Sequence, residues 1–394
     1  MESYQGHDYK TFIIIMPFAF AVVEVIRIEC NSLSENIANN DIHCYYKKGK
    51  LLFDKGVAMG HNSRLSYLTK TGMGVLALIV LGVAALASLY IGVRYISVHE
   101  IMYSIINYNP SNVNEMVVQS LRVPRMLAAI IVGVSFAISG ALMQGVTNNP
   151  MASPSVLGIT SGASFGLAIG MILFPQLSLN GSIIFSFLGS ALATICILAL
   201  AKRVGGKATP VYLALAGTAI SAVFTAVTHM LVVFFQVAQE LSFWTAGGIS
   251  GVRMEQIILS LPWTIVGVLI AMYISKSVTL LSFGEEVAIG LGSNLGRVRA
   301  LAGVTVLILS GSAVALAGPI GFIGLVIPHI TRKLVGVDYR FVIPFSGLFG
   351  AVLVMLADIL ARVVNPPFET PLGAITAIVG VPFFIYLANR KGGK

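Results

Sequence analysis

The chain has 394 residues, of which 56% are hydrophobic and only 10% charged, and its mean hydropathy is +0.88. A soluble chain of this size would carry roughly a quarter charged residues, so the composition points to a membrane protein and little else. The formal net charge of +9 raises nucleic acid as a partner, but the distribution of the basic residues points elsewhere.

Residues 1–72 stand apart from the rest of the chain. The run 12–26 is mostly apolar but short for a membrane span and interrupted by Glu24, and no basic flank with a cleavage site makes it a signal peptide. The next thirty residues are polar and lack periodicity. We read 1–72 as an atypical extension and expect Met59 to be the native start, since Lys55-Gly56-Val57-Ala58 is encodable by a purine-rich, ribosome-binding stretch. Of the three cysteines, Cys30, Cys44 and Cys196, none has metal-ligand spacing, and no disulfide framework is expected.

From residue 73 onward there are ten apolar segments, at 73–93, 124–147, 155–174, 182–201, 210–236, 257–277, 300–317, 319–335, 342–363 and 371–389. A spanning helix needs roughly 17–25 such residues. Small residues recur at helix-packing spacing, as in Gly162/Gly166/Gly170 and Ser135/Ser139. The expectation is an all-α polytopic membrane bundle of about ten transmembrane helices over 73–394. Lysine and arginine set its orientation. With the first span running outward, Lys202, Arg203, Lys207, Lys276, Arg297, Arg299, Arg332, Lys333, Arg340, Arg390, Lys391 and Lys394 fall inside. Only Arg94, Arg122, Arg125, Arg253 and Arg362 fall outside, and both termini are cytoplasmic. The lipid bilayer, not nucleic acid, accounts for the net charge.

Several short stretches ask for explanation beyond hydropathy. Arg122-Val123-Pro124-Arg125 opens the second span and Arg362 closes the ninth; taken alone, arginines at helix ends snorkel to the interface. Asn149-Pro150 and Ser153-Pro154 break the chain between two spans. Thr209-Pro210 reads as an N-cap and first helical position. Gly284, Glu285, Glu286, Ala288 and Gly292 lie in a short amphipathic, charged segment between long apolar ones. The run 318–332, Gly-Pro-Ile-Gly-Phe-Ile-Gly-Leu-Val-Ile-Pro-His-Ile-Thr-Arg, places glycine at every third position at its start and proline near each end. By itself it reads as a kinked packing helix whose freed carbonyls must find donors elsewhere. Asp358 sits four residues before Arg362, the spacing of an intrahelical salt bridge. His329 reads as a packing residue, and His229 as one that faces a pathway without a partner. No phosphate-binding loop occurs, since Gly205-Gly206-Lys207 lacks both spacing and hydroxyl. The chain is not expected to be an enzyme or to bind a cofactor, catalytic group or metal.

The order of residues in 318–332, and in 140–158, resembles the signatures of the FecCD-like permeases. These are membrane subunits of ABC importers for iron-siderophores, haem and cobalamin. The resemblance begins near residue 65 and covers the rest. It implies a FecCD/cobalamin-permease-like bundle in a bacterial cytoplasmic (inner) membrane. It further implies that Arg122, Arg125 and Arg362 receive acidic residues of an extracytoplasmic substrate-binding protein. Gly284, Glu285, Glu286, Ala288 and Gly292 would form the segment coupled to the ATP-binding subunits, and Thr209 and Pro210 a pathway gate. Implied partners are a second permease subunit, identical or related, and two ATP-binding subunits that use the ATP. An iron-siderophore is the expected cargo, with haem or cobalamin as the alternative. From a different class, an ion-coupled secondary carrier would need midplane ionisable groups, and the spans offer little beyond Asp358 and His229.

Overall fold

The computed structural model describes residues 46–47, 50–51, 59–92, 96–106, 109, 111–203, 210–365 and 368–391. The chain divides into two compact units, Met1–Gly72 and Met73–Lys394. The first contains an antiparallel pair of two-residue strands, β1 (Tyr46–Lys47) and β2 (Lys50–Leu51), and the first turns of helix α1 (Met59–Tyr90). The run 12–26 and the residues just before Met59 lie outside the described residues.

The second unit is helical. After α1 come two short helices, α2 (Val98–Ile106) and α3 (Val113–Val117). The long α4 (Val123–Thr147) is followed by α5 (Ile159–Leu173), α6 (Leu179–Arg203) and α7 (Pro210–Phe235). A short α8 (Ala238–Thr245) leads to α9 (Met254–Ser282), then to the six-residue α10 (Glu285–Gly290) and α11 (Leu295–Ala317). The chain ends with α12 (Ile323–Val335), α13 (Tyr339–Val363) and α14 (Leu372–Lys391).

Helix α4 is the axis of the bundle. It packs against α9, α11, α12 and α13, and 78% of the most apolar stretch within 113–147 is buried, against 6% of that in α7. An apolar helix with no polar face is stable only when wrapped by others or by lipid, and α4 is the wrapped case. Within lipid there is no hydrophobic drive between helices, so close backbone contact supplies the attraction. Gly140 of α4 lies against Gly324 of α12, where a Cβ would collide with the Gly324 carbonyl. Gly133 and Gly350 bring α4 and α13 together in the same way, and Gly162 and Gly189 join α5 to α6.

The ten apolar segments each contain one long or medium helix. Seven of the described helices are long and apolar enough to cross a membrane, and α5 and α14 are apolar but shorter. The eighth segment departs from expectation. The run 319–335 is not one kinked helix, because helical structure starts only at Ile323. Gly318 turns the chain at φ 70° and Phe322 is left-handed at φ 68°, so 318–322 joins α11 to α12 as non-helical backbone. The thirteen residues of α12 reach about 20 Å, well short of the ~30 Å hydrocarbon core. Such a break is tolerated only where protein satisfies its backbone. Here the Gly248 N–H donates to the Ala317 carbonyl at 2.8 Å. A Cβ on Gly318 would strike the Trp244 carbonyl. Gly321, by contrast, has nothing near it and is not a packing glycine.

Candidate functional site

Two polar clusters lie at opposite ends of α4. The first forms where α1 ends, α4 begins and α13 ends. Pro124 has no N–H for the Ser120 carbonyl, and the chain responds by widening into a π-turn at Val118–Arg122, closed by the Val123 N–H on the Val118 carbonyl. That turn swings Arg122 toward the last turn of α1, over Gly92, where a Cβ would sit 2.9 Å from the guanidinium. Arg122 Nη1 donates to the carbonyls of Leu89 and, at 3.0 Å, Tyr90. Arg362 Nη1 donates to the carbonyls of Ser88 at 2.8 Å and Ile91 at 3.0 Å. The final carbonyls of a helix lack intrahelical donors and carry the negative end of its dipole, so the two guanidinium groups cap α1.

Asp358 joins the cluster together. Its Oδ1 accepts from Arg125 Nε at 2.8 Å, its Oδ2 accepts from Arg362, and its side chain is 1% exposed. Arg125 also donates through Nη1 to Glu369 at 2.6 Å, whose side chain is 40% exposed. The i,i+4 pair of Asp358 and Arg362 is present as the spacing predicts. The reading of these arginines as snorkelling side chains is not: Arg122 and Arg125 are 6% and 8% exposed, each engaged with carbonyl or carboxylate groups of this chain. A cavity of about 240 Å³ opens beside Arg125, Asp358 and Glu369, walled by Trp244, Gly247 and Leu316.

The second cluster surrounds the far end of α4. Pro328 deprives the Gly324 carbonyl of its helical donor, and Gln144 supplies one, with Nε2 at 3.1 Å from Gly324 O and 3.2 Å from Leu325 O. Arg332 in turn donates to Gln144 Oε1 at 2.5 Å. Asn148, left-handed at φ 50°, ends α4 and donates to the Leu281 carbonyl at 3.0 Å. Thr279 Oγ1 accepts from the Tyr339 N–H at 2.9 Å and donates to Asp338 Oδ1 at 3.3 Å. The last turn of α9 is therefore tied to both α4 and α13. Immediately beyond it, Gly284 at φ 118° and Gly292 at φ 80° bracket α10. Ala288 is the buried face of that helix, and Glu285 pairs with Arg299 of α11. Around it Val287, Ile289 and, just past the helix, Leu291 are exposed at 46%, 60% and 64%.

Of the other sequence candidates, Thr209 lies outside the described residues and Pro210 begins α7. His229 is on the exposed part of that helix. His329 stacks edge-on against Phe383, at 5.7 Å between ring centroids, as a packing residue would. Sequence reasoning missed Glu369, Gln144, Asn148 and Asp338. Gln144 had a signal, because Pro328 in an apolar helix requires a donor from somewhere; the other three had none before the helices were assembled.

Seven described helices long and apolar enough to cross a membrane, two shorter apolar ones, and polar clusters at the two ends of α4 define a multi-pass membrane protein. The chain belongs to the FecCD transport family, which it matches over residues 78–390; it is a transport permease, with ATP hydrolysis on a separate subunit. It is 44% identical to the iron(3+)-hydroxamate import system permease protein FhuB of Bacillus subtilis, over 84% of this chain and 87% of that one. It is 39% identical to the Fe(3+)-citrate import system permease protein YfmD of the same organism, over 85% and 99% respectively. Among solved structures it resembles an inward-facing conformation of a metal-chelate type ABC transporter, with TM-score 0.72, 28% identity, and coverage of 81% of this chain and 99% of that one. The ion-coupled carrier reading falls with this assignment.

Proposed function

We propose that this chain is the permease through which an ATP-driven importer of a bacterial cytoplasmic membrane carries an iron-siderophore, with a ferric hydroxamate as the first cargo to try. The observation that carries the reading is the 44% identity to a hydroxamate-import permease across 84% of the chain. The arginine end faces outward and receives acidic groups of a substrate-binding protein. The α10 end faces inward with both termini, and the exposed apolar side chains of its segment, Val287, Ile289 and Leu291, seat in an ATP-binding subunit. A short helix braced by Ala288, with α9 tied to α4 and α13 behind it, suits transmission of a nucleotide-driven movement. The sparsely buried α7 is the face offered to a second permease subunit.

Cells lacking the permease, and complemented with this chain, test the cargo directly. Accumulation of ⁵⁵Fe from ferric hydroxamate should return, while haem and cobalamin uptake should not change. Restoration of haem or cobalamin uptake without iron-hydroxamate uptake would overturn the cargo.

A further inference from the structure

The two carboxylates at the arginine end are held in different ways, and we infer that Glu369 is an internal placeholder, occupying Arg125 until a docking protein supplies its own carboxylate. The inference rests on the proposed docking role of the arginine end. Asp358 cannot take that part, since its 1% exposed side chain has Oδ1 on Arg125 and Oδ2 on Arg362, and its departure would strand two buried cations. Among the described residues Glu369 makes one polar contact, Oε1 to Arg125 Nη1 at 2.6 Å, from a side chain 40% exposed at the cavity rim. The backbone beside it is anchored independently. The Thr370 N–H donates to the Ala361 carbonyl at 3.0 Å and the Leu372 N–H to the Gly247 carbonyl at 3.2 Å. The Glu369 side chain can therefore swing away while α14 stays in place.

Charge favours the exchange. Three arginines face two carboxylates in this cluster, and when Glu369 leaves, Arg125 presents a free Nη1 to solvent in its place. An incoming carboxylate meets the same charge-assisted contact that Glu369 makes. One carboxylate replaces another on the same guanidinium, and only Glu369 is partly exposed, so the swap comes close to balance. That suits a partner that must dock in one orientation and leave in each cycle. The partner is thus an acidic protein surface, and Glu369 is its competitor.

The test uses the permease with its ATP-binding subunits in proteoliposomes. ATP hydrolysis is titrated with the purified substrate-binding protein that supports this permease's iron uptake in cells. Glu369→Gln, which is isosteric and exposed, should lower the half-saturating concentration about 2- to 5-fold. Arg125→Lys keeps a charge beside Asp358 but loses the fork, and should raise that concentration. An unchanged or raised value in Glu369→Gln, with Arg125→Lys impaired, overturns the placeholder and leaves docking standing. Unchanged values in both variants overturn docking, and the placeholder with it. A gain in Glu369→Gln that persists undiminished in the Arg125→Lys background also overturns the placeholder, because surface charge alone would then explain it.

Discussion

Asp358 sits between Arg125 and Arg362 with almost no access to solvent, and removing its charge leaves two buried cations sharing one end of the bundle. Breaking such a pair from one side costs about 3–5 kcal/mol. Asp358→Asn should accordingly lower the melting temperature of the purified permease sharply, whereas Glu369→Gln should shift stability by no more than about 1 kcal/mol; equal melting curves for the two variants would contradict this account. Asp338 allows a pH test. Its hydrogen bonds to Arg340 hold the carboxyl below the ordinary 3.8, so its contribution is present above that value and lost as pH falls through the lower folded value. Asn caps a helix as well as Asp but cannot ionise, so Asp338→Asn should melt somewhat lower than the parent near neutrality and converge with it below about pH 4; melting curves at stepped pH read it. At this scale the sequence is legible only locally. Asp358 and Arg362 lie one turn apart and could be paired on spacing, but Arg125 meets Asp358 across 233 positions, and no local pattern encodes that.

Helix α12 and its approach show what an element adds. Glycine and proline in 318–332 signal a break, yet hydropathy cannot tell a kinked helix from non-helical backbone, and the run holds both: non-helical backbone over 318–322 and a proline-containing helix from Ile323. Within the helix, Gln144 substitutes for the N–H that Pro328 lacks. Gln144→Leu should cost about 1–3 kcal/mol by orphaning the Gly324 carbonyl. Pro328→Ala restores a helical donor, so the same Gln144→Leu change should cost less in that background, and a double-mutant melting cycle measures the difference. Additive losses would show that Gln144 does not stand in for the missing donor. Gly140→Ala should unfold or strip the permease from membranes, since its Cβ collides with backbone. Gly321→Ala should be nearly neutral, with nothing near its Cβ; immunoblots of membrane fractions separate the two, although both residues look alike in sequence.

For the whole molecule, the spans were readable because lipid demands long apolar helices, and the family was readable from ordered runs of glycine, proline and asparagine. Burial was not. Nothing in the hydropathy of α4 and α7 distinguishes the wrapped axis from the bare flank, because lipid and protein are equally apolar neighbours. If a second permease covers α7, single cysteines at Val223, Met230 or Val233, exposed at 59%, 64% and 77%, should yield at least one oxidised dimer in native membranes. None should arise at Leu78, which is 59% exposed on α1. The central claim is that this chain forms the path of an ATP-driven iron-chelate importer. Its most direct measurement is ⁵⁵Fe-hydroxamate accumulation in proteoliposomes holding the permease and its ATP-binding subunits, with the binding protein outside and ATP supplied to those subunits. The account predicts accumulation that requires ATP and survives collapse of every ion gradient; accumulation that ignores ATP and vanishes with an ion gradient would contradict it.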